Sequence, residues 1–405
     1  MSDRAISFSE LASESLIEIG AGRPRSVLDQ YPSIPILRVA DVQDGRIESR
    51  SPDRVPGSSR KVIGSKVSQP GDVVLTVKGT VGRVALMPPD GPCFAYSPQL
   101  CYFRPAASGP LRSRYLYYWL KTTQFWNQAD ALKGQTDMAD YLSLSDIQAL
   151  KIRIPSLDRQ DGTIEVLGSL DDMITVNDRI ASVADELAAT YFEETLSADE
   201  GIADVVLADI ASVNLRQAIR WRDGNLRYVD ISRVGPGRIE WPERISWEEA
   251  PGRARRAASL GDTIWSAVRP SRRSHALILD DDPELVVSTG FAVLTPAKVG
   301  PAYLYEVTRR DEFVQYLESV AEGSAYPVVR AERFGQAVVP LASAERLTLF
   351  EAKAMPMRRR AHAALVQSRA LAELRDSLLP KLMSGEIRVR EAEKVVEGVR
   401  WRGSR

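Results

Sequence analysis

The chain of 405 residues has two cysteines and two histidines, and their scarcity removes whole classes of function. Cys93 and Cys101 lie on neighbouring strand-like segments. Two thiols cannot build a disulfide framework or a closed zinc site. With only His275 and His362 available, the commonest general base and metal ligand is nearly absent. No stretch approaches the roughly 18 apolar residues of a membrane span. The opening MSDRAISFSELASESL lacks the basic start and apolar run of a secretory signal, so a cytoplasmic protein without membrane contact is expected. The sequence contains no phosphate-loop, dinucleotide or nucleophile-elbow signature. Charge of one sign is also missing. Lys and Arg total 53 against 54 Asp and Glu, a formal net charge of −1. Domains that grip nucleic acid unaided are usually basic.

What is present is a repeat. GDVVLTVKGT at position 71 returns as GDTIWSAVRP at 261, 190 residues later. Each sets Gly-Asp before an apolar run that ends at a cation. Other matches follow in the same order. Ile36–Asp41 with Gly45-Arg46-Ile47 corresponds to Leu226–Ile231 with Gly237-Arg238-Ile239. Tyr96-Ser97 through Arg104-Pro105 corresponds to Val287-Ser288 through Thr295-Pro296, and Tyr115-Leu116-Tyr117 to Tyr303-Leu304-Tyr305. The loop Lys133–Thr136 corresponds to Glu322–Ala325, and Ile154-Pro155 to Val339-Pro340. The chain therefore reads as a duplication of a mixed α/β (α+β) domain followed by one long helix. The period is too long for a solenoid.

Each helix carries a seam. Leu167, Leu170, Ile174, Asn177, Ala181, Ala184, Ala188 and Tyr191 recur in steps of three and four. Phe350, Ala354, Met357, Ala361, Ala364, Ser368, Leu371 and Leu378 do the same in the second copy. This is coiled-coil spacing, with Asn177 as a register-setting polar residue; an ordinary core helix with a buried Asn is the plainer reading. Antiparallel pairing of the two helices would give pseudo-two-fold symmetry. The expected boundaries are 1–157 and 198–342 for the domains, 158–197 and 343–392 for the helices, and 393–405 for a disordered tail.

No catalytic constellation emerges. His275 sits among arginines and could touch a phosphate, while His362 reads as a solvated helix residue. Glu351-Ala352-Lys353 has the spacing of a nuclease E-x-K but lies on the seam helix without a partner acid nearby in sequence. Geometry is more informative. A helix from 164 to 191 is about 42 Å long at about 1.5 Å per residue. One DNA turn is about 34–36 Å, so such a helix could hold two reading surfaces in successive grooves.

At this point the chain resembles the specificity subunits of type I restriction–modification systems. The resemblance rests on Pro70–Val74 and Leu260–Ile264, Lys133–Thr136 before Ile152–Pro155, Gln160 at the helix opening, and above all Leu374–Ile387. Two departures stand out. The second copy has no Gln where Gln160 lies in the first, and Gly162 falls near the first helix start, where it could turn the chain into the helix. The resemblance implies a non-catalytic subunit that binds double-stranded DNA at a bipartite, asymmetric target. It would dock two methyltransferase subunits and endonuclease/translocase subunits in host defence against foreign DNA. S-adenosylmethionine, ATP and Mg would belong to those partners, with no cofactor or metal of its own. A coiled-coil protein–protein scaffold with two α/β interaction modules is the alternative.

Base reading needs donors and acceptors on loops. The candidates are Lys78, Thr80, Arg83, Lys133, Gln135 and Thr136 in the first copy. In the second they are Arg269, Ser271, Arg272, Arg273 and Ser324, with Tyr326 for stacking. Arg253–Arg256 is a further phosphate candidate, and Arg358–Arg360 a candidate methyltransferase contact.

Overall fold

Alternating apolar residues around Val73 and Val84, separated by two glycines, make an antiparallel pair, Val73–Thr76 with Val84–Leu86. Leu100–Pro105 pairs with Val73–Thr76 on the other side, and Ile17–Ala21 completes a four-stranded antiparallel sheet. The computed structural model describes residues 5–22, 33–48, 53–56, 64–132, 134–135, 140–199, 201–219 and 224–402. These form two compact units. One holds Met1–Ile174 with Arg369–Arg405, and the other Thr175–Ser368.

The second unit repeats the first sheet strand for strand. Ala211–Val213, Phe291–Pro296, Thr263–Ser266 and His275–Leu277 lie in the same order and sense. A second small sheet recurs too. Ser33–Leu37 pairs antiparallel with Arg54–Pro56 and parallel with Ala95–Tyr96. Its counterpart Asn225–Val229 pairs antiparallel with Arg244–Ser246 and parallel with Leu285–Ser288, and an extra strand, Ala254–Ala257, is added. The duplicated sequence is thus a duplicated topology. In the first unit Phe8, Phe103, Trp119 and Phe125 are all buried and stack edge-on or tilted in the core. In the second, Phe192, Tyr303 and Phe350 do the same.

The long helices are Leu157–Ser197 and Ala344–Ser384, 41 residues each. Within the first unit Asp171 meets Arg375, and Arg159 reaches the Leu382 carbonyl. Within the second, Asn177 meets Gln367, Asp185 meets Arg358 and Phe192 meets Phe350. As one number rises the other falls, so in each unit the two helix segments run antiparallel. Leu167, Leu170, Phe350 and Leu371 are buried, and Ile174 and Met357 partly so.

Three expectations need correction. Gly162 does not turn the chain into the helix; it lies inside it, and a Cβ there would come within 3.0 Å of Val389. The second helix does not continue to 392. It stops at Ser384, Gly385 takes φ +83°, and a separate helix runs from Val389 to Arg402. Residues 393–402 are consequently not a disordered tail: Ala392 and Val396, one helical turn apart, are buried in the core of the first unit.

The missing Gln also has an explanation. Gln160 accepts from Arg112 N at 2.9 Å, beside the start of helix Ser113–Trp119. In the second unit Glu351 does this work, accepting from Ala302 N at 3.1 Å and Tyr303 N at 3.2 Å at the start of helix Pro301–Arg309. The helix starts place Leu347 opposite Gln160, so the capping side chain has moved on by one turn. Glu351 is therefore a helix cap, not half of a nuclease motif.

Candidate nucleic-acid interface

The turn that follows each Gly-Asp strand is held by backbone bonds. In the first unit Val77 N donates to Gln99 O at 2.9 Å, and Leu142 N donates to Val77 O at 2.9 Å. Lys78 then bridges to Tyr141, next to the pair formed by Gly134–Gln135 and Asp140–Tyr141. In the second unit Ala267 N donates to Gly290 O at 2.8 Å, Val329 N to Ala267 O at 2.8 Å, and Val268 bridges to Val328. Both units therefore bring two loops, far apart in sequence, to one edge. One loop is the strand-end turn, residues 77–83 or 267–274. The other is the pair Gly134–Gln135 and Asp140–Tyr141, or the segment before residue 329.

These bonds keep the 190-residue offset of the Gly-Asp pairs. Lys78 matches Val268, and Arg269 matches Gly79. Gly79 and Arg269 both have positive φ, +86° and +49°. A left-handed arginine is unusual, and here three contacts fix it. Its backbone N donates to Pro327 O at 2.8 Å, and its Nη2 to Ala325 O at 3.4 Å. Its guanidinium lies 5.1 Å from the centre of the Tyr326 ring, which is itself 56% exposed.

The other candidates divide by environment. Lys78 and Thr80 are exposed, as are Ser271, Arg272 and Ser324. Arg83 is half-buried and donates to the Val42 carbonyl at 3.3 Å, which gives it a structural duty. Arg273, also left-handed, forms an ion pair with Asp311. Lys133 and Thr136 lie outside the described residues, and of Gln135 only the backbone strand is described. Arg253 and Arg255 are exposed, whereas Arg256 is half-buried. Burial lowers the pKa of Arg256 below its ordinary value.

His275 is no phosphate contact. It is buried, stacks on Trp265 at 4.7 Å, and its Nδ1 lies 2.8 Å from the Arg273 carbonyl. Burial, helped by the charge of Arg309, lowers its pKa to about 4, so it is neutral at pH 7. Arg358 is likewise no surface contact. It is 6% exposed and pairs with both Asp185 and Glu306, over the Tyr305 ring at 4.7 Å. Burial opposes the charge on Asp185. Hydrogen bonds from Arg309 and the charge of Arg358 prevail and hold its carboxyl below the usual range. Arg359 and Arg360 are exposed. His362 sits 3.2 Å from Asp280.

What sequence reading missed is the support beneath the turns. Asp72 and Asp262, the acids of the two Gly-Asp pairs, are 0% and 1% exposed. Asp72 accepts from Arg104, Tyr96 and the Gln69 N–H, and Asp262 from Arg216, Thr295 and the Ser259 N–H. The repetition of the acid was the available signal.

Exposed cations and hydroxyls on paired loops suit phosphate oxygens and base edges. Residues 15–184 match the family model described as type I restriction modification DNA specificity domain. A stretch of 77 residues is 31% identical to the type I restriction enzyme HindI specificity subunit of Haemophilus influenzae, spanning 18% of this chain and 17% of that relative. The crystal structure of the type I restriction–modification system S subunit from M. genitalium is similar in fold. Its TM-score is 0.54 at 14% identity, covering 94% of this chain and 95% of that one. The family match thus covers residues 15–184, and the likeness in fold extends over most of the chain.

Proposed function

We propose that the chain is the sequence-reading subunit of a type I restriction–modification complex. Each unit reads one half of a bipartite, asymmetric double-stranded DNA target, and the chain docks two methyltransferase subunits and endonuclease/translocase subunits there. It performs no chemistry itself, and S-adenosylmethionine, ATP and Mg act on the partners. The observation that carries this reading is the paired-loop edge, built twice on the same backbone bonds with different side chains at its tip: Lys78 and Thr80 in one, Arg269, Ser271 and Arg272 in the other. Two frameworks with divergent tips suit two different half-sites. The near-zero net charge fits a subunit whose partners share the phosphate grip.

Partner docking has its own support. Val176, Val183 and Leu187 are 57%, 52% and 43% exposed and fall on one stripe of the first long helix. Arg359 and Arg360, among the exposed cations of the second helix, suit a partner contact. No described helix is long and apolar enough to cross a membrane, and we place the complex in the cytoplasm.

The test is co-expression with an adenine methyltransferase subunit, followed by mapping of methylated sites. A two-part motif is expected, and exchanging residues 1–155 for those of another reader should change one half alone. Absence of any motif, with the chain still recovered bound to other proteins, would favour the scaffold reading.

A further inference from the structure

The ion pairs between the long helices are arranged with a consistent polarity. In the first unit the first helix supplies the acid, Asp171, and the second supplies Arg375, with Nη1 to Oδ1 at 2.8 Å. In the second unit the first helix again supplies the acid, Asp185, and the second supplies Arg358. The duplication does not predict this. The helices start 187 residues apart, at Leu157 and Ala344, and Arg358 lies 187 residues after Asp171. The same position is thus an acid in one copy and a cation in the other. Arg375 and Asp185, 190 residues apart, are reversed in the opposite sense within one helical turn.

The neighbouring domain matches the reversal. Tyr118 donates to Asp171 at 2.6 Å, and Glu306, 188 residues later, pairs with Arg358. Each domain therefore carries the partner suited to its own helix. The polar seam contact agrees. Asn177 donates to Gln367 at 3.1 Å, and the position 187 residues before Gln367 is Ile180.

We infer that these charges form a pairing code, which admits the first long helix to the second and rejects a second copy of either. In the equivalent register, two first helices would set Asp171 against Asp185 and Asn177 against Ile180. Two second helices would set Arg358 against Arg375. Like charges at a largely desolvated contact repel, and Asn177 would lose its partner. The internal repeat makes such mispairing the chief competitor of the native arrangement, and the code removes it. The chain thereby keeps two different domains together and excludes assemblies of two identical ones. This inference stands on the helix contacts alone and does not depend on what the loops bind.

Two differently tagged full-length variants test it. Arg358→Glu with Arg375→Glu makes both helices acidic, and Asp171→Arg with Asp185→Arg makes both basic. Co-expressed, the two variants should copurify as a 1:1 pair, whereas two tagged wild-type chains should not. Wild-type-like melting of each variant alone, without copurification, would overturn the code. Should the variants fail to fold, Asp171→Arg against Asp171→Arg/Arg375→Asp decides. The single change should lower the melting temperature by about 5 °C, and the double change should restore most of that loss. No restoration would overturn the code as well.

Discussion

Asp72 lies wholly buried and takes the fork of Arg104 in parallel, with Nε to Oδ1 at 2.7 Å and Nη2 to Oδ2 at 2.7 Å. Arg104 is on the neighbouring strand of the same sheet. In the second unit Thr295 stands where Arg104 stood, and it donates to Asp262 at 2.7 Å. The cation now arrives from elsewhere, as Arg216 at 2.6 Å. The acid is common to both units, and its counter-charge has moved.

That difference predicts unequal costs. Asp72→Ala takes the bidentate carboxylate from a guanidinium only 15% exposed, leaving it Glu18 at 3.1 Å, and strips Tyr96 and the Gln69 N–H of their acceptor, so the loss should be about 3–5 kcal/mol. Asp262→Ala leaves Arg216, already 41% exposed, able to turn to water, with a cost nearer 1–3 kcal/mol. Urea unfolding of both variants should give this order; equal losses would contradict the argument.

Gly82 and Gly79 flank the same turn with positive φ, but only Gly82 is crowded. A Cβ on Gly82 would lie 2.1 Å from Trp126 Cη2, whereas one on Gly79 meets nothing within 4 Å. Gly79→Ala should therefore cost about 1 kcal/mol, from backbone strain alone. Gly82→Ala should cost clearly more and should quench or shift Trp126 fluorescence.

His275 makes stability depend on pH in a defined direction. Its folded pKa, about 4, lies below its ordinary 6.5, so between these values the unfolded chain binds more protons. Its contribution is complete above about pH 6.5 and is lost as pH falls toward 4, amounting to about 3 kcal/mol. His275→Phe should flatten that part of the stability curve relative to the parent. An unchanged slope would remove His275 as its source.

Arg269→Ala should weaken binding to the second half-site by about 1–3 kcal/mol and leave the first unchanged, read by fluorescence anisotropy on specific and scrambled half-sites. Equal loss on both sequences would make Arg269 a phosphate contact only.

Much of the architecture was legible because it was stated twice. The Gly-Asp strands, the Tyr-x-Tyr helix and the Ile-Pro or Val-Pro strand each had a partner in register, and the seams had coiled-coil spacing. The site was less legible. Lys78 and Arg269 look equivalent in sequence because both are cations after an apolar run. Counted from the Gly-Asp pairs they already stand one residue apart, and backbone bonds to Leu142 and Val329, more than 60 residues away, hold that register. Arg358 and His275 read as surface groups because their partners Glu306, Asp185 and Trp265 are distant or unremarkable in sequence. The helix Val389–Arg402 was hidden for a similar reason. Its buried face is little more than Ala392 and Val396, too little apolar surface to signal a helix without the core that receives it.

The paired loops are clamped through main-chain atoms at Val77–Leu142 and Ala267–Val329. Peptide groups are the same whatever side chain they carry. The tips at Lys78, Thr80, Ser271 and Arg272 are thus relieved of structural duty, and mutation can explore them while the frame persists. On the proposed reading, a lineage carrying this chain can change the sequence it distinguishes as self without rebuilding the fold, and can do so on one side at a time.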